Sequence, residues 1–182
     1  MASGALQPIP GGTIENPMAT DGFEFVEYTA PDPETLKHLF RTLGFTEVAR
    51  HRSKDVSLFR QGGVNFVVNG EPDSFAQSFA RVHGPSCCAI AFRVKNAAAA
   101  FDRAVKLGAR PFEGKVGPME LNIPAIHGIG DSLIYLVDRY GAQTIYDVDF
   151  VPLEGVGQSP AGAGFTMVDH LTHNVHRGRM DV

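Results

Sequence analysis

Hydrophobic and polar positions change rhythm along the chain, and each change marks an element. Phe23-Glu24-Phe25-Val26-Glu27-Tyr28-Thr29 is rich in β-forming residues and reads as a strand. Asp32-Pro33-Glu34 then starts a helix, with Asp as N-cap and Pro in the first turn. Leu36, Leu39, Phe40 and Leu43 follow at i, i+3, i+4 and i+7, which is one apolar stripe, and Gly44 is a good stop. Phe45 to Arg50, Val56 to Arg60 and Val64 to Val68 read as three strands. Gln61-Gly62-Gly63 turns between the last two, and Asn69-Gly70 closes the unit. The order over residues 22–70 is β-α-β-β-β.

Ser74 to His83 reads as a short connecting helix, with Phe75, Phe79 and Val82 at helical spacing. The pattern then starts again over residues 87–151. Cys87 to Val94 is a strand, and Asn96 caps a helix running to Lys106 with Ala97, Ala100, Phe101, Ala104 and Val105 inward. Val116 to Asn122, Ser132 to Asp138 and Thr144 to Phe150 are expected as the three remaining strands, with a Gly- and Pro-containing loop from Ile123 to Asp131. Leu43-Gly44 and Leu107-Gly108 both end helices and lie 64 residues apart (108 − 44). Phe25 falls on Ala89 at the same offset (89 − 25 = 64), which is the trace of an internal duplication. Pro152 to Gly164 reads as a linker. Phe165 to Val175 reads as one more strand, as if a third unit opened there.

Composition narrows the function classes. The formal charge of −4 offers nothing to offset phosphates, so nucleic acid is not an expected partner. No apolar run is long enough to cross a bilayer. With 13 Phe and no Trp, phenylalanine should dominate the packing. Met1 to Pro17 lacks the basic and apolar regions of a secretory signal and is expected as a flexible tail. Cys87 and Cys88 are neighbours on a strand and point to opposite faces, so they are expected as reduced thiols in a cytoplasmic protein. A thiol in a buried strand is inert, and Gly62-Gly63 in a hairpin does not cradle phosphate.

The α+β order of two paired β-α-β-β-β units resembles the vicinal-oxygen-chelate (glyoxalase-like) half-barrels. Local runs narrow the likeness. Asn16-Pro17-Met18 with Gly22-Phe23-Glu24-Phe25, His51-Arg52-Ser53-Lys54, His83-Gly84-Pro85-Ser86 and Ala91-Phe92-Arg93-Val94 resemble the bacterial 4-hydroxyphenylpyruvate dioxygenase family. So do Gly117-Pro118-Met119-Glu120-Leu121-Asn122, Ile145-Tyr146-Asp147-Val148-Asp149-Phe150 and Asp169-His170-Leu171-Thr172-His173-Asn174-Val175. The likeness runs from Asn16 to about Met180.

The resemblance implies an Fe(II) enzyme that converts 4-hydroxyphenylpyruvate and O₂ to homogentisate and CO₂ in tyrosine and phenylalanine catabolism. In that family two His and one Glu hold the iron, and the first His maps onto His170. The other two ligands lie beyond Val182, so the chain is expected as the non-catalytic amino-terminal half plus the first strand of the catalytic half, inactive alone. The implied divisions are a tail over 1–17, a non-catalytic domain over 18–151, a linker over 152–164 and the severed start of a second domain over 165–182. The substrate is a small 2-oxo acid, and the family tends to form homo-oligomers, though no interface signature is present. A hydroxymandelate synthase, or a binding module complete as it stands, is the alternative.

Site residues follow with their bland readings. His170 and Thr172 share one face of the expected strand, which makes Thr172 a candidate wall of the substrate pocket. His173 takes the other face, and it and His176 are expected as solvated histidines. Asp169 is expected to point away from His170, either fixing the strand or solvated. Phe25 and Ala89 occupy the repeat positions equivalent to His170 and cannot bind iron. Asp147 and Asp149 lack imidazole partners, and His51, His83 and His127 are scattered. No catalytic residue is assigned within the chain.

Overall fold

The computed structural model describes residues 15–114, 117 and 120–179. Most of the expected amino-terminal tail and part of the expected Val116–Asn122 strand lie outside them. The first unit is β1 (Thr20–Thr29), α1 (Pro33–Thr42), β2 (Thr46–His51), β3 (Val56–Gln61) and β4 (Val64–Asn69). A connecting helix, α2 (Phe75–His83), leads to the second unit: β5 (Ser86–Val94), α3 (Ala97–Lys106), β6 (Pro111–Phe112), β7 (Ala125–His127) and β8 (Leu133–Val137). A five-residue helix, α4 (Ile145–Asp149), and a last strand, β9 (Phe150–Pro152), follow.

All the described strands join one sheet in the order β6-β7-β8-β5-β1-β4-β3-β2-β9. The two units meet at the antiparallel β1–β5 seam, and each is built alike outward from it. β1 pairs in parallel with β4, and β5 with β8. The helices repeat to the residue. Asp32 and Asn96, both N-caps whose side chains accept from the first-turn backbone, lie 64 apart (96 − 32). Leu43 and Leu107 are the C-caps, again 64 apart (107 − 43). Gly44 and Gly108 then take φ of 86° and 102°, a region L side chains rarely adopt, and this stops both helices at the same place.

Two apolar layers hold the sheet. On its outer face α1 sets Leu36 and Phe40 against Phe45, Phe59 and Val68, with Tyr28 and Phe66 closing the cluster. Four of these rings stack or meet edge-on at 4.4–6.0 Å between centroids. On the inner face Phe25, Val56, Leu58, Val67 and Ala91 pack with Ile145, Tyr146 and Phe150 from the end of the second unit. The inner layer therefore binds both units into one body.

Four expectations need correction. Thr144 to Phe150, expected as a strand, is α4 followed by β9. Asp147 Oδ2 accepts from the Thr144 N–H at 2.7 Å and its hydroxyl at 3.0 Å, so a helix-capping pair overrides the β-branched composition. Of the expected Val116–Asn122 strand, the described part is irregular, because Leu121 N–H donates to Asp149 Oδ1 at 3.1 Å instead of to a ladder. The expected loop from Ile123 to Asp131 contains β7, which with β6 supplies the missing strands. Phe165 to Val175 pairs with no strand among the described residues.

That last segment is instead tied to the β3–β4 turn. The Gln61 side chain, fully buried, donates to the Leu43 carbonyl at 3.1 Å and accepts from the Ala163 and Phe165 N–H groups. Gly62 N–H donates to the Pro160 carbonyl at 3.0 Å and Gly63 N–H to that of Thr166 at 2.8 Å. The chain passes so close that a Cβ on Gly62 would collide with the Phe165 carbonyl. The helical stripes are also narrower than expected: Leu39 and Leu43 on α1, Val82 on α2 and Val105 on α3 are exposed.

Candidate functional site

The inner face of the curled sheet encloses a cavity of about 550 Å³. β1 and β4 supply Phe25, Glu27, Val67 and Asn69 to its wall. β8 adds Tyr135, and the α4–β9 corner adds Tyr146, Asp149 and Phe150. Alternation on β1 explains the choice. Phe25 and Glu27 point inward, while Tyr28 packs with Leu36 and Phe40 of α1.

Glu27 is 7% exposed, and its Oε1 accepts from Asn69 Nδ2 at 2.7 Å. Burial pushes its carboxyl up from the ordinary value, against the lowering effect of the Asn69 bond and the Lys54 charge. A second carboxyl lies at the mouth. Glu120 accepts from Lys54 Nζ at 2.6 Å, Ser53 Oγ at 2.5 Å and the Gly117 N–H at 2.7 Å. Burial raises it, but these three donors prevail and hold it at about 2. His51 lies across from Phe150, ring centroids 5.4 Å apart, and burial lowers its pKa despite nearby carboxylates.

The residues expected to hold iron are elsewhere. The His170 side chain is 74% exposed, and its Nδ1 contacts Asp169 Oδ2 at 2.8 Å. Asp169 thus touches His170 instead of pointing away, because this stretch is not a strand. Thr172, His173 and His176 are exposed beside it. Among the described residues, no group of three His, Cys, Asp or Glu side chains could hold a metal ion. The described donors do not fit an iron site. At the repeat positions, Phe25 packs on Tyr135 at 5.7 Å and Ala89 is fully buried.

Cys87 and Cys88 lie on β5, and His127, expected in the Ile123–Asp131 loop, lies on β7. Cys87 and Cys88 are free thiols, and burial raises both, Cys87 to about 11. His83 is exposed on α2, and His127 stands edge-on to Phe112 at 5.6 Å. Glu27, Lys54 and Glu120 were not singled out from the sequence. The one available signal was parity, since Glu27 shares the inward register of Phe25 on β1.

Paired β-α-β-β-β units around an inner cavity define a domain of the glyoxalase-like, vicinal-oxygen-chelate class. The family profile described as "Hydroxyphenylpyruvate dioxygenase, HPPD, N-terminal" matches residues 14–151. The chain is 58% identical over 167 residues to 4-hydroxyphenylpyruvate dioxygenase of Pseudomonas sp. (strain P.J. 874), an alignment covering 91% of this chain and 47% of that protein. Among solved structures, a xylose isomerase-like TIM barrel/4-hydroxyphenylpyruvate dioxygenase fusion protein superposes with a TM-score of 0.66 at 42% identity. That match covers 81% of this chain and 24% of the fusion protein. A mutant 4-hydroxymandelate synthase from Streptomyces coelicolor gives a TM-score of 0.62 at 23% identity, over 79% of this chain and 45% of that one, and shares the fold. The chain belongs to the hydroxyphenylpyruvate dioxygenase family, as its amino-terminal domain, and spans about half the length of the curated dioxygenases it matches.

Proposed function

We propose that this chain is the amino-terminal part of an Fe(II)-dependent 4-hydroxyphenylpyruvate dioxygenase, an oxidoreductase that forms homogentisate and CO₂ in tyrosine breakdown. The observation that carries the reading is 58% identity across 91% of the chain to a protein of that name. The hydroxymandelate synthase alternative has weaker support, at 23% identity. Residues 18–151 are the non-catalytic domain, 152–164 the linker and 165–182 the opening of the catalytic domain. His170 supplies one imidazole to the iron in the whole enzyme and Thr172 borders the substrate, once further strands of that domain surround them. Two free thiols, Cys87 half-buried and Cys88 buried, support a cytoplasmic setting.

The test has two arms. The coding sequence downstream of the Val182 codon should supply a second His and a Glu in further β-α-β-β-β units. Purified chain given Fe(II), ascorbate and 4-hydroxyphenylpyruvate should show no sustained oxygen uptake, while the longer protein should. Turnover by the present chain alone, or a downstream sequence without those ligands, would overturn the reading.

A further inference from the structure

The sheet register puts a carboxyl where an apolar side chain would suffice. Pairing across the inner face aligns Leu133, Ala89, Glu27, Val67, Leu58 and Ala49 in one row. The row continues from Leu133 to His127 on β7, and Glu27 is the one carboxyl in it, at the middle of the sheet. Asn69 engages one of its oxygens, and the other has no hydrogen-bond partner among the described residues. That second oxygen is not sealed in the core but opens onto the cavity, since His127 Nδ1 is the one buried side-chain polar atom without a partner among the described residues.

The surrounding wall selects the charge and shape of a partner. Lys54 is the only Lys or Arg among the described lining residues, and Glu120 already holds it at 2.6 Å. The remaining charged lining groups, Asp102, Glu113 and Asp149, are acids. An anion entering this cavity meets net negative charge from the described lining residues, whereas a cation is drawn toward them. Phe25, Tyr135, Tyr146 and Phe150 present aromatic surface on the same wall, suited to a ring and to cation–π contact. The volume, about 550 Å³, is in the range that encloses small organic ligands.

We propose that the cavity of this domain binds a compact aromatic molecule bearing a protonated amine, with Glu27 as its counter-ion and Phe25 and Tyr135 against its ring. This ligand has the opposite charge to a 2-oxo acid. An ammonium reaching the oxygen that Asn69 leaves free would give it a charged hydrogen-bond donor. The competing role for Glu27 is purely structural, holding Asn69, whose carbonyl accepts from Thr29 and Gln77.

Calorimetric titration of the purified chain with 2-phenylethylamine, and separately with phenylacetate, tests the assignment. The amine should bind at one site, and the acid should bind at least about tenfold more weakly. Amide NMR signals of Glu27, Asn69 and Tyr135 should shift with the amine. Glu27→Gln, which keeps an acceptor for Asn69, should weaken amine binding by about tenfold or more with an unchanged circular dichroism spectrum. If that variant fails to fold, the NMR mapping on the native chain decides. Equal binding of acid and amine, no binding up to about 10 mM, or shifts confined to the outer surface would each overturn the proposal.

Discussion

Val26 and Ile90 face each other across the antiparallel β1–β5 ladder, and they are also one repeat apart (90 − 26 = 64). A pair can be both only if it lies on the axis relating the two units. The local twofold axis therefore passes through the β1–β5 seam at this pair, and every other repeat-equivalent pair is arranged around it. Phe25 meets Ala91 and Glu27 meets Ala89 on either side.

This seam should be the most protected part of the molecule. In hydrogen exchange, amides of the paired Val26–Glu27 and Ala89–Ala91 segments should exchange more slowly than those of β6, β7 and β9 at the sheet ends. Val26→Ala removes buried surface on the axis and should cost about 2 kcal/mol in urea unfolding. Faster exchange at the seam than at β9 would contradict the arrangement.

Gln61 should anchor the segment after β9. Its amide joins the α1 C-cap to residues 163–165. Gln61→Leu would strip partners from the Leu43 carbonyl and the Ala163 and Phe165 N–H groups. It should cost about 1–3 kcal/mol and speed proteolysis near Gly162–Thr166 several-fold. An unchanged cleavage rate there would show that the docking does not depend on Gln61.

Glu120 gives a pH signature whose sign follows from its hydrogen bonds. The folded carboxyl sits at about 2, below the ordinary glutamate value of 4.5. The unfolded chain therefore takes up the proton first as pH falls, and stability is lost between roughly pH 5 and 2. The stability difference between the native chain and Glu120→Gln should be constant above about pH 5 and shrink as pH falls through that window. Thermal melts at a series of pH values measure it, and a difference independent of pH would exclude the clamp by Lys54 and Ser53.

His170 should be silent in this chain. Its side chain is 74% exposed and its partner Asp169 is 84% exposed. His170→Ala should change stability by less than about 0.5 kcal/mol. A larger loss in denaturant titration would mean that the segment after Gly164 packs more firmly than its exposure indicates.

The elements legible in the sequence are those whose signals sit within a few residues. Asp32 and Asn96 announce the helices because a cap bonds to its own first turn. Gly44 and Gly108 end them because the required φ is local. Thr144 to Phe150 misled because its β-branched residues are local too, and the Thr144–Asp147 pair competes on the same scale. β6 and β7 are two and three residues long, too short to carry an alternation. In the cavity Glu27 was not legible, since a carboxylate on a strand usually means a solvated face.

The sequence by itself determined the duplication, the ends of α1 and α3 and the α+β class, because each is written in spacings that need no distant partner. The tertiary structure alone decided that Phe150 pairs with His51, 99 residues away (150 − 51), placing β9 at the far edge of the sheet. It also decided that Glu27, Tyr135 and Tyr146 line one cavity. Those outcomes depend on which strand lies beside which, and that is settled by how two apolar faces pack, a property no short stretch of the chain contains.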